Sequence, residues 1–144
     1  MTAPVALEPV PVERREELRA LFQLYLHDLS EYDGALPGAD GHYAYAYFDA
    51  YWQDANRWPY FIVAGGRVAG FVLIREAAEI APGLHSIAEF FILRPFRRGG
   101  IGTAAARLAL ATLPGRWRIT QLERNTPAIA FWRRIAAEAS GGSF

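Results

Sequence analysis

The sequence feature that most constrains the fold is a continuous stretch over residues 86–112. It opens with an apolar run whose isoleucine and phenylalanine residues favour a β-strand. The run ends at Arg94, because Pro95 disfavours the helical conformation of the residue before it. A turn with three closely spaced glycines follows and leads directly into an alanine-rich segment. We therefore predict a strand, a glycine-rich turn and a helix in immediate succession.

The glycine-rich turn is well suited to binding an anion. Glycine has no Cβ, so a ligand can approach the main-chain amides closely and the backbone can adopt positive φ angles. From Ile101 onward, apolar residues recur at helical spacing, so we expect the helix to begin inside the turn. The free amides and the positive dipole end of such a helix start favour phosphate oxygens.

Two short motifs carry a family resemblance. The segment Arg97-Arg98-Gly99-Gly100-Ile101-Gly102 is similar to the signature R/Q-x-x-G-x-G/A of the GNAT family of N-acetyltransferases, in which it binds the pyrophosphate of acetyl-CoA. The segment Asn125-Thr126-Pro127-Ala128-Ile129-Ala130-Phe131-Trp132 is similar to the N-x-x-A-x-x-F-Y block, which lies along the pantetheine arm. The glycine pattern is weak alone, but the two motifs in this order, separated by a short strand, are typical of the family. The resemblance covers about residues 60–138.

The resemblance implies the α/β acyl-CoA N-acyltransferase fold. This fold has a mixed, mostly antiparallel central sheet, here of about six strands, with helices on both faces. The cofactor cleft lies between the fourth and fifth strands. We expect one N-acetyltransferase domain over residues 1–144. The chain ends without the last strands that the family usually adds, so we expect a trimmed sheet edge, a truncated chain, or a sheet completed by a partner subunit, as in a homodimer.

The composition excludes several functional classes. The chain is 52% hydrophobic and 21% charged with zero formal net charge, which gives no indication of nucleic acid or an anionic membrane as a partner. It has no cysteine, which excludes disulfides, thiolate metal sites and an acyl-cysteine intermediate. No apolar run reaches the length of a membrane span, and Met1-Thr2-Ala3-Pro4 does not begin a leader peptide. We expect a soluble, cytoplasmic protein that binds no metal.

The N-terminal third predicts a strand, two helices and a loop. Residues 5–10 favour a strand, and a helix follows from about Val12 with apolar residues at helical spacing. Residues 30–41 form a loop rich in turn residues. The aromatic-rich residues 42–52 predict a short second helix. Its rings either pack into the core, which is the simpler interpretation, or form a wall that faces a substrate.

The remaining elements are three strands and a helix besides the stretch described first. Two β-rich runs over residues 60–74 are joined by Gly65-Gly66, which indicates a tight hairpin. The strand before the glycine-rich turn spans residues 84–93, and a fifth strand covers residues 117–122. Thr126 is the expected N-cap of the last helix.

The resemblance implies a donor site that is built largely from main-chain groups. Amides near the turn would hold the pyrophosphate, and two arginines would add positive charge. Amides at the end of the preceding strand would meet the thioester, and the second motif would line the pantetheine arm. The corresponding residues are Phe91, Ile92, Leu93, Arg97, Arg98, Gly99, Gly100, Ile101, Gly102, Thr103, Asn125, Ala128, Phe131 and Trp132. The alternatives are a plain strand-to-helix turn with solvated arginines and an asparagine that only caps its helix.

Glu89 is the first candidate for the general base. It alternates with Phe91 and Leu93 along an apolar strand, so burial should raise the pKa of its carboxyl group. It also resembles the glutamate that serves as the base in part of the family, although a structural glutamate is the alternative. His85 is a second candidate, since it shares the face of Glu89 unless a bulge intervenes.

The second motif departs from the family at Trp132, where many members have a tyrosine that protonates the leaving thiolate. The indole N–H donates a hydrogen bond but has no useful acidity. Either water or another residue supplies that proton, or the thiolate leaves without one.

The acceptor site has weaker signals. Carboxylates and tyrosines occur together in the two-helix region that borders the acceptor cleft in the family, and this combination suits a cationic amine. The residues that we assign to acceptor binding are Tyr32, Asp33 and Tyr43. A solvated acidic face is the alternative interpretation.

Taken together, these features predict an acetyl-CoA-dependent N-acetyltransferase that acts on an unidentified primary amine by direct attack, without a metal. An acyl-CoA-binding sensor or regulatory module without turnover is the alternative from another class. A partner-binding domain that only shares the fold is a third interpretation and predicts no affinity for coenzyme A.

Overall fold

The described chain forms one five-stranded sheet. A computed structural model describes residues 4–144, so residues 1–3, at which we expected no leader peptide to begin, lie outside the described residues. The strands follow one another across the sheet in chain order, and all neighbours are antiparallel except the fourth and fifth, which are parallel. They are β1 Val5–Pro9, β2 Arg57–Ala64, β3 Arg67–Glu76, β4 His85–Ile92 and β5 Trp117–Ile119. The mixed, mostly antiparallel sheet is confirmed, with five strands among the described residues where we expected about six.

Helices cover both faces of the sheet, as predicted. They are α1 Arg15–Asp33, α2 Ala50–Gln53, α3 Ile101–Leu110 and α4 Thr126–Ser140, and single 3-10 turns at Val12–Arg14 and Arg94–Phe96 precede α1 and α3. The helices α1 and α2 pack on one face, while α3 and α4 pack on the other. The two faces therefore carry separate hydrophobic cores.

The two cores differ in the size of their side chains. On the α1 face, the rings of Phe22 and Phe71 stack with centroids 5.3 Å apart, and Phe61 is fully buried beside them. On the opposite face, the small residues Ala105 and Ala109 bring α3 close to the sheet. Because β2 and β3 are covered on both sides, their sequences are almost continuously apolar.

The hairpin between β2 and β3 is confirmed. Gly65 and Gly66 connect the strands with φ angles of 58° and 79°. Two consecutive positive φ angles match the right-handed twist of the flanking strands and strongly favour glycine.

The predicted helix over residues 42–52 is wrong in extent, since only Ala50–Gln53 is helical. The main chain of Tyr43 instead pairs with a side chain of α1: its N–H donates to Gln23 Oε1 at 2.7 Å, and Gln23 Nε2 donates to its carbonyl oxygen at 3.0 Å. Rings such as Phe48 and Tyr51 still enter the α1 core. The aromatic residues thus reach the core from an irregular backbone, and their helical spacing in the sequence does not reflect a helix.

Two boundaries near the C-terminus also differ from the predictions. The N-cap of α4 is Asn125, whose side-chain oxygen accepts a hydrogen bond from the N–H of Ala128 at 3.2 Å, so Thr126 is the first helical residue. The strand β5 ends at Ile119 and does not reach residue 122. This short strand leaves part of β4 without a neighbour on that side. No helix among the described residues is both long and apolar enough to cross a bilayer.

Candidate active site

A cavity opens where the two parallel strands separate. The strand β5 pairs only with His85–Ile87 of β4, and β4 then continues alone to Ile92. The cavity has a volume of about 840 Å³ and is lined by α1, the end of β4, the glycine-rich turn and the start of α4. This is the cleft between the fourth and fifth strands that the sequence predicts.

The floor at one end of the cavity is the glycine-rich turn, and we call residues 97–103 the donor corner. Gly100 has a φ angle of 81°, and its carbonyl accepts the first helical hydrogen bond, from the N–H of Ala104 at 3.0 Å. Within residues 4–144, no group accepts a hydrogen bond from the amides of residues 98–103. A helix start with unpaired amides is an anion site, because the N–H dipoles and the helix dipole both favour negative charge.

Arg98 adopts a left-handed backbone conformation with a φ angle of 68°, the one described residue other than glycine that does so. This conformation costs a non-glycine residue about 1 kcal/mol and is enriched where the backbone holds a ligand. A left-handed residue in such a turn helps successive amides converge on a single point. The strain therefore accompanies a concave set of N–H donors.

The side chain of Arg97 is already engaged within the protein. Its guanidinium donates to Asp28 Oδ2 at 2.7 Å and to the carbonyl oxygen of Ile92 at 2.8 Å. Asp28 belongs to α1 and also accepts from Arg94 at 3.2 Å. Arg97 thus fixes the end of β4 against α1, and much of its charge is balanced by Asp28. The side chain of Arg98 lines the cavity and makes no ion pair with any described residue.

The end of β4 presents two amides to the cavity. The N–H of Leu93 donates to the carbonyl oxygen of Ala69 at 2.8 Å, so it points toward β3 and is not free. The N–H of Phe91, two residues earlier, points the same way, so of the three amides predicted to meet a thioester only that of Ile92 points away from β3. Because successive residues of a strand direct their amides to opposite sides, the N–H groups of Phe90 and Ile92 point toward the missing neighbour. The amides at this strand end that point away from β3 are therefore at residues 90 and 92, and the amide of Phe90 faces the hydroxyl of Tyr25.

The backbone of β3 approaches the same strand end very closely at Gly70. A Cβ there would collide with the carbonyl oxygen of Phe91 and would lie 2.9 Å from its carbonyl carbon. A glycine inside a strand often marks such a close approach. The absence of a side chain at Gly70 therefore lets the end of β4 lie this close to β3.

The cavity wall beside the donor corner is aromatic, and the ring of Phe131 lies 3.7 Å from the point that a Cβ on Gly102 would occupy. Trp132 is 7% exposed, and its ring packs edge-on against Phe90 and Phe131 at centroid distances of 5.0 Å. Ala128 and Asn125 line the cavity beside it. Because Asn125 Oδ1 is used as the helix cap, only its amide NH2 is free to donate to a ligand.

Glu89 lies in a second cluster of polar groups, which we call the base corner and which comprises Glu89, Tyr25, Tyr45 and Tyr51. Tyr25 Oη donates to Glu89 Oε1 at 2.7 Å, and Tyr45 Oη donates to Oε2 at 3.3 Å. No ion pair with a described residue balances the carboxylate. Burial raises the pKa of Glu89, while the two phenol hydrogen bonds act in the opposite direction. A buried carboxyl group with a raised pKa and no cation is typical of a general base.

His85 does not share the face of Glu89. The register between β3 and β4 pairs Leu73 with Glu89 but Ile74 with Ile87, so Ala88 is an extra residue in β4. Beyond this bulge the side chains change faces. His85 packs between the rings of Trp58 and Trp117 on the α3 and α4 side, and its Nδ1 makes no hydrogen bond within the described residues. The structure therefore separates the second candidate base from the first and from the cavity lining.

The predicted acceptor residues are divided. Tyr32 lines the cavity, whereas Asp33 is exposed and accepts a hydrogen bond from the N–H of Ala35 in the turn after α1. Tyr43 is outside the lining, but its hydroxyl lies 3.0 Å from Nδ1 of His27, which does line the cavity. The structure thus brings one of the three to the cavity directly and one through a neighbour.

Most of the predicted donor residues meet at the cavity. Those that line it are Phe91, Ile92, Arg97, Arg98, Gly100, Gly102, Thr103, Asn125, Ala128, Phe131 and Trp132. Gly99 and Ile101 face a smaller depression on the other side of the turn, together with one side of Gly100. The structure therefore brings most of these residues to one cavity, while Gly99, Ile101 and Leu93 lie outside its lining.

Comparison with known proteins decides the family. The sequence profile of the Acetyltransferase (GNAT) family matches residues 18–136, most of the chain. The chain belongs to the GNAT family. No protein with curated annotation matches its sequence significantly.

Solved structures of acetyltransferases share this GNAT fold. An acetyltransferase from Thermus thermophilus has a TM-score of 0.69 and 18% identity, over 93% of this chain and 87% of that one. An aminoglycoside acetyltransferase from an uncultured soil metagenomic sample, in complex with sisomicin, has a TM-score of 0.62 and 12% identity over 91% and 86%. A ribosomal-protein-alanine N-acetyltransferase from Brucella melitensis biovar Abortus 2308 has a TM-score of 0.58 and 14% identity over 91% and 89%.

The donor corner fits the coenzyme A that GNAT proteins use. The unpaired amides of residues 98–103 suit a diphosphate, and the free amides at the end of β4 suit a thioester oxygen. The cavity between them is large enough for an elongated donor, at about 840 Å³. Within residues 4–144, no three histidine, cysteine or acidic side chains are grouped as metal ligands.

Two residues that line the cavity have no clear signal in the sequence. Tyr25 falls among the apolar positions of the first helix, a pattern that gives its hydroxyl no role, although a buried phenol usually needs a hydrogen-bond partner. Asp28 gave no usable signal, because its partner Arg97 is 69 residues away in the sequence. Both residues lie on α1 and line the cavity.

Proposed function

We propose that this GNAT protein is an N-acetyltransferase that transfers the acetyl group of acetyl-CoA to a primary amine by direct attack. One observation carries the proposal: four residues of the turn with unpaired amides, Arg98, Gly100, Gly102 and Thr103, line the same cavity as Phe90 and Ile92 at the end of β4. With the diphosphate of acetyl-CoA at the amides of the turn, the pantetheine arm would carry the thioester toward the amides at the end of β4. The donor supplies an activated acetyl group, and the protein supplies the binding site, the orientation and the proton transfer.

The donor would be oriented by groups from both sides of the cavity. The amides of Gly102 and Thr103 bind phosphate oxygens, and Arg98 adds positive charge. The amide NH2 of Asn125 and the rings of Phe131 and Trp132 hold the pantetheine arm along α4. The N–H groups of Phe90 and Ile92 stabilise the charge that develops on the thioester oxygen.

Glu89 is the proposed general base. Attack requires a neutral amine, so a proton must leave the nitrogen. The carboxylate of Glu89 has a raised pKa and no ion-pair partner among the described residues, so it is a stronger proton acceptor than an exposed carboxylate. The leaving thiolate receives no proton from Trp132, whose indole N–H has no useful acidity.

The proposed acceptor is a small or terminal primary amine. The cavity mouth on the α1 side is lined by Ser30, Glu31 and Tyr32, which suit a cationic amine through hydrogen bonding, charge and ring contact. The structural neighbours include proteins named for an aminoglycoside and for a ribosomal-protein alanine, so both acceptor types are candidates here.

Two experiments test the proposal in order. Calorimetry with acetyl-CoA should show saturable binding at one site per chain, and a protein without measurable heat would refute the proposal at its first step. Release of free thiol should then be followed with four amines: sisomicin, spermidine, a peptide with a free N-terminal alanine, and an N-acetylated peptide with one lysine. Turnover with any of them supports the proposal.

A non-catalytic acyl-CoA-binding module is the second candidate function, and Trp132 favours it because the position lacks an acidic hydrogen. Such a module would bind acetyl-CoA with the affinity of an enzyme but would release no thiol with any of the four amines. We also propose a single domain over residues 1–144 and a cytoplasmic location. Size-exclusion chromatography would distinguish a monomer from the homodimer considered above.

A further inference from the structure

The proposed base is connected to the cavity through one side chain. The carboxylate of Glu89 is not among the groups that line the cavity. Tyr25 lines the cavity and also donates its hydroxyl proton to Glu89 Oε1 at 2.7 Å. Tyr45, the other phenol on this carboxylate, donates to Oε2 at 3.3 Å and is not part of the lining. An amine in the cavity therefore meets Tyr25 before it can reach Glu89.

The ring of Tyr25 is held in place by aromatic contacts. It packs edge-on against Phe22 and Phe71, with centroid distances of 5.4 Å to each, and lies 5.7 Å from the ring of Phe91. Phe91 belongs to the strand end whose free amides face the cavity. The hydroxyl of Tyr25 meets the carboxylate of Glu89 and also faces the N–H of Phe90 at that strand end, so little reorganisation is needed during a transfer.

We propose that Tyr25 is a proton relay between the attacking amine and Glu89. As the nitrogen forms its bond to the acetyl carbon, the π electrons of the C=O bond move onto the oxygen and the nitrogen loses a proton to Tyr25 Oη. The Oη–H bond of Tyr25 breaks in the same step, and that proton goes to Glu89 Oε1. The C–S bond then breaks, the C=O bond reforms and coenzyme A leaves as its thiolate. Tyr25 starts and ends as a neutral phenol, and Glu89 changes from carboxylate to carboxylic acid. This inference rests on the proposed function.

The electrostatics favour a relay in which Tyr25 is never a free phenolate. Burial, followed by the charge of Glu89, raises the pKa of Tyr25 well above its ordinary value. The groups that face Glu89 are Tyr25 from α1, Tyr45 from the segment before α2, and Tyr51 from α2. Burial and then Glu89 also raise the pKa of Tyr51. Tyr25 therefore must give up its own proton as it accepts another.

Tyr45→Phe is the matched control for Tyr25→Phe. Each substitution removes one phenol hydrogen bond to the same carboxylate and leaves a ring of the same shape. Each also raises the pKa of Glu89 further, because both hydrogen bonds favour the carboxylate. Only Tyr25→Phe removes the hydroxyl that reaches the cavity.

The test measures kcat/KM against pH for the wild type and both variants, with acetyl-CoA and whichever of the four amines turns over fastest. Tyr45→Phe should shift the rising limb to higher pH and then recover the wild-type plateau. Tyr25→Phe should stay about 100-fold lower on the plateau, where Glu89 is ionised in every protein. Calorimetry should show acetyl-CoA binding within about twofold of wild type in both variants, as neither hydroxyl contacts the donor corner.

Two outcomes would overturn the relay while leaving the proposed function intact: recovery of Tyr25→Phe on the plateau, or an equal loss in both variants. Absence of turnover by the wild-type protein would refute the proposed function, and the relay with it. A second measurement needs no variant. Single-turnover rates of the wild type in mixtures of H2O and D2O should follow a curved dependence on deuterium fraction, because two protons move together, and a linear dependence contradicts the relay.

Discussion

The donor corner and the base corner lie at the same cavity but are made from different parts of the chain. At residues 98–103 the functional groups are main-chain amides, and their arrangement depends on local backbone angles such as those of Arg98 and Gly100. At Glu89 the functional groups are side chains, and Tyr45 and Tyr25 lie 44 and 64 residues before Glu89 in the sequence. The donor corner is therefore encoded by glycines and a proline that are close in the sequence. The base corner forms only when segments that are distant in the sequence pack together.

The largest expected effect belongs to the base corner. Glu89→Gln should lower kcat/KM by about 10² to 10⁴-fold, because an amide cannot accept the proton of the amine. In the wild type, kcat/KM should rise as pH passes through the raised pKa of Glu89, since only the carboxylate accepts a proton. The variant should lose this limb. Steady-state rates over a range of pH check the prediction, and acetyl-CoA binding serves as the control. An unchanged profile would reject Glu89 as the base.

The next largest effect concerns the close packing of β3 against the end of β4. Gly70→Ala should lower the free energy of unfolding by about 3 kcal/mol, because the new Cβ collides with the main chain of Phe91 and the strands must separate. Urea unfolding measures the loss. Gly99→Ala is the control, since a Cβ there meets nothing within 4 Å and its φ angle is not positive. Equal stability of the two variants would contradict the close approach of β3 and β4.

A smaller effect is expected at the donor corner, where alanine substitutions at the adjacent residues Gly99 and Gly100 should differ in stability and in acetyl-CoA binding. Gly100→Ala should cost about 1 kcal/mol of stability, because its φ angle of 81° strains any residue with a Cβ. Acetyl-CoA binding should weaken by about tenfold as the amides move away from convergence. Gly99→Ala should change neither quantity appreciably. Thermal unfolding and calorimetry provide the two values, and a reversed order of the two variants would mean that the backbone angle is not what arranges the amides.

The smallest effect tests whether side-chain charge matters at the donor corner. Arg97→Gln should weaken acetyl-CoA binding by no more than about fivefold, since the guanidinium is already paired with Asp28 and an exposed ion pair contributes about 1 kcal/mol or less. Calorimetry at two salt concentrations measures the change. A loss of about 100-fold would show that the arginine, rather than the amides, holds the diphosphate and would remove the contrast between the two corners.

The difference between the corners also explains what the sequence could predict. The strand, turn and helix over residues 86–112 follow from proline and glycine chemistry, and the hairpin at Gly65-Gly66 follows from the same rules. The apolar residues on either side of Glu89 predict that its strand is buried, and so predict the direction of its pKa shift. These features need only local information.

The errors share a different cause. The segment over residues 42–52 has helical spacing, but Gln23 of α1 takes the hydrogen bonds of Tyr43 that a helix would use. The engagement of Arg97 by Asp28 and the role of Tyr25 depend on where α1 lies against the sheet. The spacing of residues within one segment does not indicate where α1 packs against the sheet.

The extra residue in β4 has a consequence that reaches beyond this chain. Side chains of a strand alternate, so the single insertion at Ala88 places an imidazole and a carboxylate on opposite sides of the sheet. Deletion of one residue between them would turn both toward the same helices and would create a different pairing of titratable groups. In lineages that share this architecture, a change in strand length can therefore exchange one proton acceptor for another while every chemical group is retained.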